Sequence, residues 1–262
     1  MAALDGFTET TFTHDQVTRP VYRGGSGPGV VVIHEIPGIT PLVADFGRRV
    51  IDAGFTVAMP TLAGEPGKAM SFGYMVKSFT SVCVSHEFAT LALGKTSPVI
   101  EWLRALARDL HSQAGGPGVG AVGMCFSGGF ALAMAVDNEM LAPVLSQPSM
   151  PFPLGKGRSG ALGLSDADLA RVKDRVANDN LCVLGLRFSK DRAVPDARWA
   201  RYKQEFGDNF IGVDIDSSPG NPHNIKKSAH SVLTEELVDQ PGHPTKDALD
   251  RVLAFLRDRL TP

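Results

Sequence analysis

The sequence predicts an α/β fold, in which helices cover both faces of a mostly parallel, twisted sheet. Short apolar runs alternate along the chain with segments whose apolar residues recur at the 3.6-residue period of a helix. Two of the runs, 30–33 and 119–123, consist of branched or small residues, as is typical of strands buried on both faces. Strands that alternate with helices form βαβ units, and their right-handed crossovers make the sheet parallel.

The individual elements follow from the same patterns. Two short strands are expected within residues 7–22, where Phe12, Val17 and Val21 favour β structure. Further strands are expected at 30–33, 55–59, 119–123, 142–146, 181–187 and 210–215. Helices are expected at 41–53, within 71–113 with a break near 94–98, and at 130–135, 166–177, 196–206 and 245–260.

The length and composition are those of one soluble globular domain spanning residues 1–262. Hydrophobic residues make up 43% of the chain and charged residues 21%, which argues against a disordered chain. The net charge of −2 gives no electrostatic reason to expect a nucleic-acid or membrane partner. Composition and charge leave the oligomeric state open.

Three cysteines, Cys83, Cys125 and Cys182, are scattered over the chain. This odd, dispersed set is not a disulfide framework and suits a reducing compartment. The first residues lack the basic and apolar regions of a secretion signal, so we expect a cytoplasmic protein. The cysteines and histidines lack the spacing of a zinc site, and the glycine-rich segment 24–29 precedes a strand. The sequence therefore predicts no metal and no cofactor.

The segment 123–129, Gly-Met-Cys-Phe-Ser-Gly-Gly, lies where a predicted strand turns at once into a predicted helix. Such a turn needs small neighbours and leaves its central side chain exposed above the sheet edge, as in the G-x-S-x-G nucleophile elbow. Here the central position holds Cys125, and the backbone N–H of Phe126 would face an oxyanion formed at that cysteine. Cys125 is therefore the candidate nucleophile.

Two other interpretations of this segment exist. Ser127 as the nucleophile would shift the turn away from the end of the strand, which makes it the weaker choice. Alternatively, Cys125 would be an inert, buried thiol at a tight turn.

A cysteine nucleophile needs a base, and an acid must orient that base. In elbow-type folds they follow in the order nucleophile, Asp or Glu, His. Asp191 follows the strand predicted at 181–187, at the carboxyl end where open α/β sheets have their sites. His230 follows the next strand and is the expected base, with His223 and His243 as alternatives. A single loop Asp or His is more often solvated surface, but the ordered set is far more specific.

With these residues in place, the chain resembles the dienelactone hydrolase family, the cysteine branch of the α/β-hydrolases. The resemblance extends from about residue 29 to the C-terminus. The matching segments are Val32-Ile33-His34-Glu35-Ile36-Pro37-Gly38, the elbow 123–129, Asp191 with Val194-Pro195, and His230-Ser231. Their order and spacing together make the resemblance specific.

The resemblance implies an α/β-hydrolase fold with a Cys125–His230–Asp191 triad. It also implies that the backbone N–H groups of Ile36 and Phe126 stabilise the oxyanion. The expected activity is hydrolysis of a small ester or lactone through an acyl-thiol intermediate. The alternative is a non-catalytic scaffold that binds a small molecule, or a redox-sensing thiol.

The resemblance gives Glu35 a role as well, because a glutamate at this place in the family pairs with the cysteine and helps to generate the thiolate. Without the elbow, Glu35 would be interpreted as a surface acid at a helix N-terminus. One departure from the family concerns the arginines that clamp a substrate carboxylate. Thr234 stands four residues after the histidine, and the covering segment 71–93 contains Lys77 but no arginine. We therefore expect a less polar or uncharged ester to be favoured over dienelactone.

Overall fold

A computed structural model of the chain describes residues 3–71, 73–78, 97–153 and 158–261. Eight strands are found in this part of the chain. They are β1 (Thr8–His14), β2 (Val17–Gly25), β3 (Gly29–Ile33), β4 (Thr56–Pro60), β5 (Val119–Met124), β6 (Met140–Ser146), β7 (Val183–Phe188) and β8 (Phe210–Ile215). The main helices are α1 (Pro41–Asp52), α2 (Pro98–Ala114), α3 (Phe130–Met134), α4 (Asp166–Asn178), α5 (Asp196–Phe206) and α6 (Pro244–Leu260).

The strands form one sheet in the order β1-β2-β4-β3-β5-β6-β7-β8. The pairs β1–β2 and β2–β4 are antiparallel, and every later pair in this order is parallel. The predicted α/β fold with a mostly parallel sheet is therefore confirmed. The second strand continues past its predicted end at residue 22, because β2 pairs with β4 as far as Gly25.

The strand β3 shows how the core is divided between the two faces of the sheet. It is buried along its whole length, as its continuous apolar run predicts. Successive side chains of a strand point to opposite faces. Val30 and Val32 therefore pack in the cluster that includes the buried faces of α1 and α6, whereas Val31 and Ile33 pack in the cluster that includes α2 and α5.

Helix α1 begins at the residues that favour a helix start. The hydroxyl of Thr40 accepts the N–H of Val43 at 3.3 Å, and Pro41 occupies the first turn. Val43, Phe46 and Val50 recur at helical spacing and form a buried stripe against the sheet.

The helical segment expected at 71–113 is seen in two parts. Residues 73–78 and α2 are helical, whereas 79–96, with Cys83 and most of the expected break, lie outside the described residues. Within the ranges that the structure does describe, no helix has the length and apolar character needed to cross a bilayer.

Candidate active site

The carboxyl ends of the parallel strands bring the candidate residues to one edge of the sheet. Cys125 directly follows β5, Asp191 comes shortly after β7, and His230 lies in the chain after β8. All three line a cavity of about 610 Å³. His223 and His243 are not among the described residues that line it. Their rings pack against each other, with 5.3 Å between the ring centroids.

Close packing fixes the turn at Cys125. This residue has a φ of 57°, in the left-handed region that residues other than glycine rarely adopt. A Cβ at Gly123 would stand 2.2 Å from the carbonyl oxygen of Ser127, and one at Gly128 would stand 2.6 Å from the Cα of Pro148. Only glycine fits at these two positions. The turn therefore keeps its strained backbone and presents the cysteine side chain to the cavity.

Ser127 lies beneath the turn and is fully buried. Its hydroxyl accepts the N–H of Met124 at 2.9 Å and lies 3.0 Å from the carbonyl oxygens of both Ile33 and His34. These contacts join the turn to the end of β3. The side chain that reaches the cavity is therefore that of Cys125, and the Ser127 hydroxyl is part of the interior.

His230 and Asp191 form a direct pair. Nδ1 of His230 lies 2.7 Å from Oδ2 of Asp191, whose Oδ1 accepts the N–H of Ala193 at 2.9 Å. The carboxylate thus orients the ring with its proton on Nδ1. Burial lowers the pKa of His230, but the negative charges and hydrogen bonds of Cys125 and Asp191 outweigh it and hold the pKa well above its usual value.

Ser149 is a neighbour of this pair that sequence reasoning missed. Its hydroxyl donates to the carbonyl oxygen of Gln147 at 3.0 Å and lies 3.8 Å from Sγ of Cys125 and 3.5 Å from Nε2 of His230. No motif marks Ser149. Its place just after the predicted end of a strand is the one signal that could have suggested it.

The loop after β6, which carries Ser149, is held by the buried guanidinium of Arg198 on α5. The Arg198 side chain donates to the carbonyl oxygens of Pro148 at 2.8 Å and Ala161 at 2.9 Å, and also to that of Pro151. All the hydrogen bonds described for this side chain go to backbone carbonyls. The wall of the cavity thus depends on a residue outside it.

Glu35 is buried and is bound by neutral donors. One oxygen, Oε2, accepts from the hydroxyl of Ser231 at 2.7 Å and from Nε2 of Gln147 at 3.2 Å, and Oε1 accepts from the hydroxyl of Thr234. No cation contacts this carboxylate among the described residues, so these hydrogen bonds must replace its lost hydration. They go to the three neutral side chains and not to Cys125.

The peptide group between Glu35 and Ile36 is held by His34, to which the sequence analysis gave no role. Nδ1 of the ring lies 2.8 Å from the carbonyl oxygen of Glu35, and Nε2 accepts the N–H groups of Leu62 at 3.0 Å and Ala63 at 3.3 Å. Because Nε2 accepts, the ring proton is on Nδ1. That proton fixes the Glu35 carbonyl, and with it the direction of the Ile36 N–H in the same peptide group.

We predict that the Thr234→Val variant is less stable than the wild type. The change leaves one oxygen of the buried Glu35 carboxylate without its hydroxyl donor, which should cost about 1–3 kcal/mol. Thr234→Ser keeps the hydroxyl and is the matched control. Urea unfolding at neutral pH measures both variants, and equal stabilities would contradict the assigned hydrogen bond.

We also predict that His34 makes the fold sensitive to acid. Burial, aided by the nearby charge of Arg19 and opposed by the hydrogen bond to Glu35, lowers the pKa of His34 from 6.5 to about 4. The unfolded chain therefore takes up this proton at a higher pH than the folded protein does. The contribution of the neutral His34 ring to the free energy of unfolding is fully present above pH 6.5. It decreases by about 3 kcal/mol as the pH falls toward 4.

Urea midpoints at several pH values between 7 and 4 test this contribution. His34→Gln cannot take up a proton, so its stability should decrease less steeply over that window than the stability of the wild type. Parallel curves for the two proteins would show that His34 is not the titrating group.

The fold is shared with solved structures. The dienelactone hydrolase-like promiscuous phosphotriesterase P91 from metagenomic libraries aligns with a TM-score of 0.63 at 16% identity, covering 97% of this chain and 98% of that one. A dienelactone hydrolase from Anabaena variabilis aligns with a TM-score of 0.62 at 14% identity, covering 97% and 99%. At these identities the likeness shows the fold alone.

Sequence comparison identifies the family. Over 55 residues the chain is 36% identical to YghX of Escherichia coli (strain K12), which is named as a hydrolase fragment; the match covers 20% of this chain and 47% of that protein. The chain thus spans about half the length of this curated relative. The dienelactone hydrolase family as a whole matches residues 17–260. With a match over nearly its entire length, the chain belongs to the dienelactone hydrolase family.

Proposed function

We propose that the protein hydrolyses a small ester or lactone through an acyl-thiol intermediate on Cys125. The observation that carries this proposal is that Cys125 and His230 line one cavity, while Asp191 binds the far nitrogen of the His230 ring at 2.7 Å. Acyl transfer by a cysteine needs this set of nucleophile, base and orienting acid. Membership of a hydrolase family supports the same activity.

In the acylation step, the thiolate of Cys125 attacks the substrate carbonyl carbon, and the electrons of the C=O bond move to the oxygen. The thiol proton is then on Nε2 of His230, where the raised pKa of the imidazole favours it. Asp191 accepts the Nδ1 hydrogen bond and stabilises the imidazolium. When the intermediate collapses, the bond to the leaving oxygen breaks and His230 gives that oxygen its proton.

Deacylation repeats these steps with water. Nε2 of His230 takes a proton from a water molecule, whose oxygen attacks the acyl carbon. The C–S bond then breaks, the acid is released, and the sulfur of Cys125 leaves as a thiolate. The net reaction adds one water to the ester and yields one acid and one alcohol. Because a thiolate is a good leaving group, the acyl-thiol intermediate is readily resolved.

Two backbone N–H groups would stabilise the oxyanion of each tetrahedral intermediate. The first belongs to Phe126, which directly follows the nucleophile. The second belongs to Ile36, whose peptide group is fixed by the ring of His34. Donors that are already oriented need no rearrangement as the charge develops, and this is why they accelerate acyl transfer.

Glu35 has an additional role in this proposal, which rests on the family resemblance. Its carboxylate would help the thiol proton of Cys125 to move to His230 when substrate binds. To do so it must exchange its hydrogen bonds with Ser231 and Thr234 for a contact with the thiol. The neutral partners make this exchange easier than the breaking of a buried ion pair would be.

The alternative, a scaffold whose thiol senses oxidants, needs a resolving cysteine near Cys125. Cys182 directly precedes β7, whereas the cavity lies at the carboxyl end of that strand. The length of β7 separates the two by about 20 Å. At its end of the strand, Cys182 contacts Asn209 and Arg259. Cys83 lies outside the described residues. The hydrogen-bonded pair of His230 and Asp191 favours an enzyme over an oxidant-sensing scaffold.

We predict that Cys125→Ala reduces the hydrolysis of a p-nitrophenyl ester roughly a thousand-fold or more, because the covalent step is lost. Cys182→Ala, which changes a thiol outside the cavity, is the matched control and should keep its turnover. Iodoacetamide should inactivate the wild type. If Cys125→Ala stays active while a folded Ser127→Ala variant does not, Ser127 and not Cys125 is the nucleophile.

We predict that His230→Ala lowers kcat roughly a hundred- to ten-thousand-fold, because the proton carrier is removed. His223→Ala and His243→Ala change the two alternative histidines, whose rings contact each other and do not line the cavity, and should be close to wild type. The measurement is kcat with a neutral short-chain ester at pH 7. An equal loss in the His243 variant would mean that His230 is not the base.

A further inference from the structure

Ser149 places a hydroxyl group beside both of the side-chain atoms that react in the proposed mechanism. Its Oγ lies 3.5 Å from Nε2 of His230 and 3.8 Å from Sγ of Cys125. The residue is only 1% exposed, yet it lines the cavity. A small molecule that reaches the thiol and the imidazole together therefore also meets this hydroxyl.

The proton of the Ser149 hydroxyl is already used. It is donated to the carbonyl oxygen of Gln147 at 3.0 Å, a shorter contact than the one with His230. A serine hydroxyl has one proton and two lone pairs, so the lone pairs of Oγ remain. Ser149 Oγ therefore meets the thiol and the imidazole as a hydrogen-bond acceptor.

Nε2 of His230 is an acceptor too whenever the ring is neutral. The carboxylate of Asp191 holds the ring proton on Nδ1, so Nε2 carries a lone pair. Ser149 Oγ and His230 Nε2 are thus two acceptors 3.5 Å apart, and neither has a proton to give the other. A molecule with two hydrogens on one atom can satisfy both of them.

The backbone fixes Ser149 relative to the nucleophile. Its N–H donates to the carbonyl oxygen of Cys125 at 3.0 Å, and the carbonyl oxygen of the preceding Pro148 is bound by Arg198 at 2.8 Å. The two acceptors are therefore in place before the acyl-thiol intermediate forms. Groups that are oriented beforehand need no rearrangement during the reaction.

Deacylation is the step that uses a molecule with two such hydrogens. The acyl carbon is then bonded to Sγ of Cys125, and the attacking water must lie beside Nε2 of His230. This water can donate one hydrogen to Nε2 and the other to Oγ of Ser149, which leaves a lone pair of its oxygen to attack the acyl carbon. Nε2 takes the first proton as the C–O bond forms. The second hydrogen stays on the acid that is released when the C–S bond breaks.

An alcohol cannot make the same pair of hydrogen bonds. It has one O–H hydrogen, which Nε2 of His230 must accept if the alcohol oxygen is to attack. No hydrogen is then left for Ser149, and the buried Oγ loses a donor that water would supply, which costs free energy. The Ser149 hydroxyl therefore favours water over alcohols as the molecule that attacks the acyl group.

We propose that Ser149 is a further catalytic residue, whose hydroxyl oxygen binds the hydrolytic water and makes the acyl-thiol intermediate react with water in preference to alcohols. This inference rests on the proposed ester hydrolysis and assigns a residue to its second step. The preference depends on one hydrogen bond between neutral groups, so it should be roughly two- to ten-fold.

The test measures how the acyl-thiol intermediate is divided between water and methanol. Each enzyme cleaves p-nitrophenyl acetate in a buffer that contains methanol, and the initial amounts of methyl acetate and acetate are measured by NMR. The ratio of methyl acetate to acetate should be roughly two- to ten-fold higher for Ser149→Ala than for the wild type. Because this ratio is set after the intermediate has formed, a smaller folded fraction or a slower acylation does not change it.

Ser228→Ala is the matched control. Ser228 is a second serine that lines the cavity, but it is exposed and has no described hydrogen bond to Cys125 or His230. This variant should keep the wild-type ratio. An unchanged ratio in Ser149→Ala, or an equal rise in Ser228→Ala, would overturn the inference.

The wild type provides a second measurement, which does not require the Ser149→Ala variant to fold. The S-acetyl thioester of N-acetylcysteine in imidazole buffer has an acyl-thiol and a base but no second acceptor. With the same methanol content, its ratio of methyl acetate to acetate should be roughly two- to ten-fold higher than that of the wild-type enzyme. Equal ratios would also overturn the inference.

Hydrolysis of the same ester without methanol separates this inference from the proposed function. If the wild type cleaves the ester and Cys125→Ala does not, the proposed function holds, and the product ratio alone decides the role of Ser149. If Cys125→Ala cleaves it as well as the wild type does, the proposed function fails, and the inference that rests on it fails too.

Discussion

The position of the candidate nucleophile depends on one buried hydroxyl, that of Ser127. It binds the backbone where two neighbouring strands end, at Met124, the last residue of β5, and at Ile33, the last residue of β3. Cys125 can keep its left-handed backbone only if the chain on both sides is fixed, because the strain would otherwise relax. The same hydroxyl fixes the start of the loop that carries Ile36. The nucleophile and the proposed oxyanion donor are thus aligned by contacts within the core.

Much of the fold could be predicted because its signals are local. A branched apolar run such as 30–33 indicates a buried strand, and the alternation of strands with helices indicates parallel pairing. The order of the strands could not be derived in this way. β4 lies between β2 and β3 because of pairings between distant segments, and no pattern within either segment records its partner.

The candidate site shows the same division between local and distant information. Cys125, Asp191 and His230 could be located because each follows the end of a strand that the sequence reveals. Gln147 could not, because its side chain meets Glu35, which lies 112 positions away along the chain. The other two donors to Glu35, at positions 231 and 234, are similarly remote. Only the folded chain shows that they surround a buried carboxylate.

The buried guanidinium of Arg198 has a consequence for how members of this family should be compared. It belongs to α5 and is not among the described residues that line the cavity, yet it binds the carbonyl groups that set the course of the loop carrying Ser149. A different residue at position 198 would change the shape of the cavity without changing the identity of any cavity-lining residue. Two relatives with identical lining residues could therefore differ in specificity. The cause of that difference would lie in residues, such as the one at position 198, that pack behind the cavity wall.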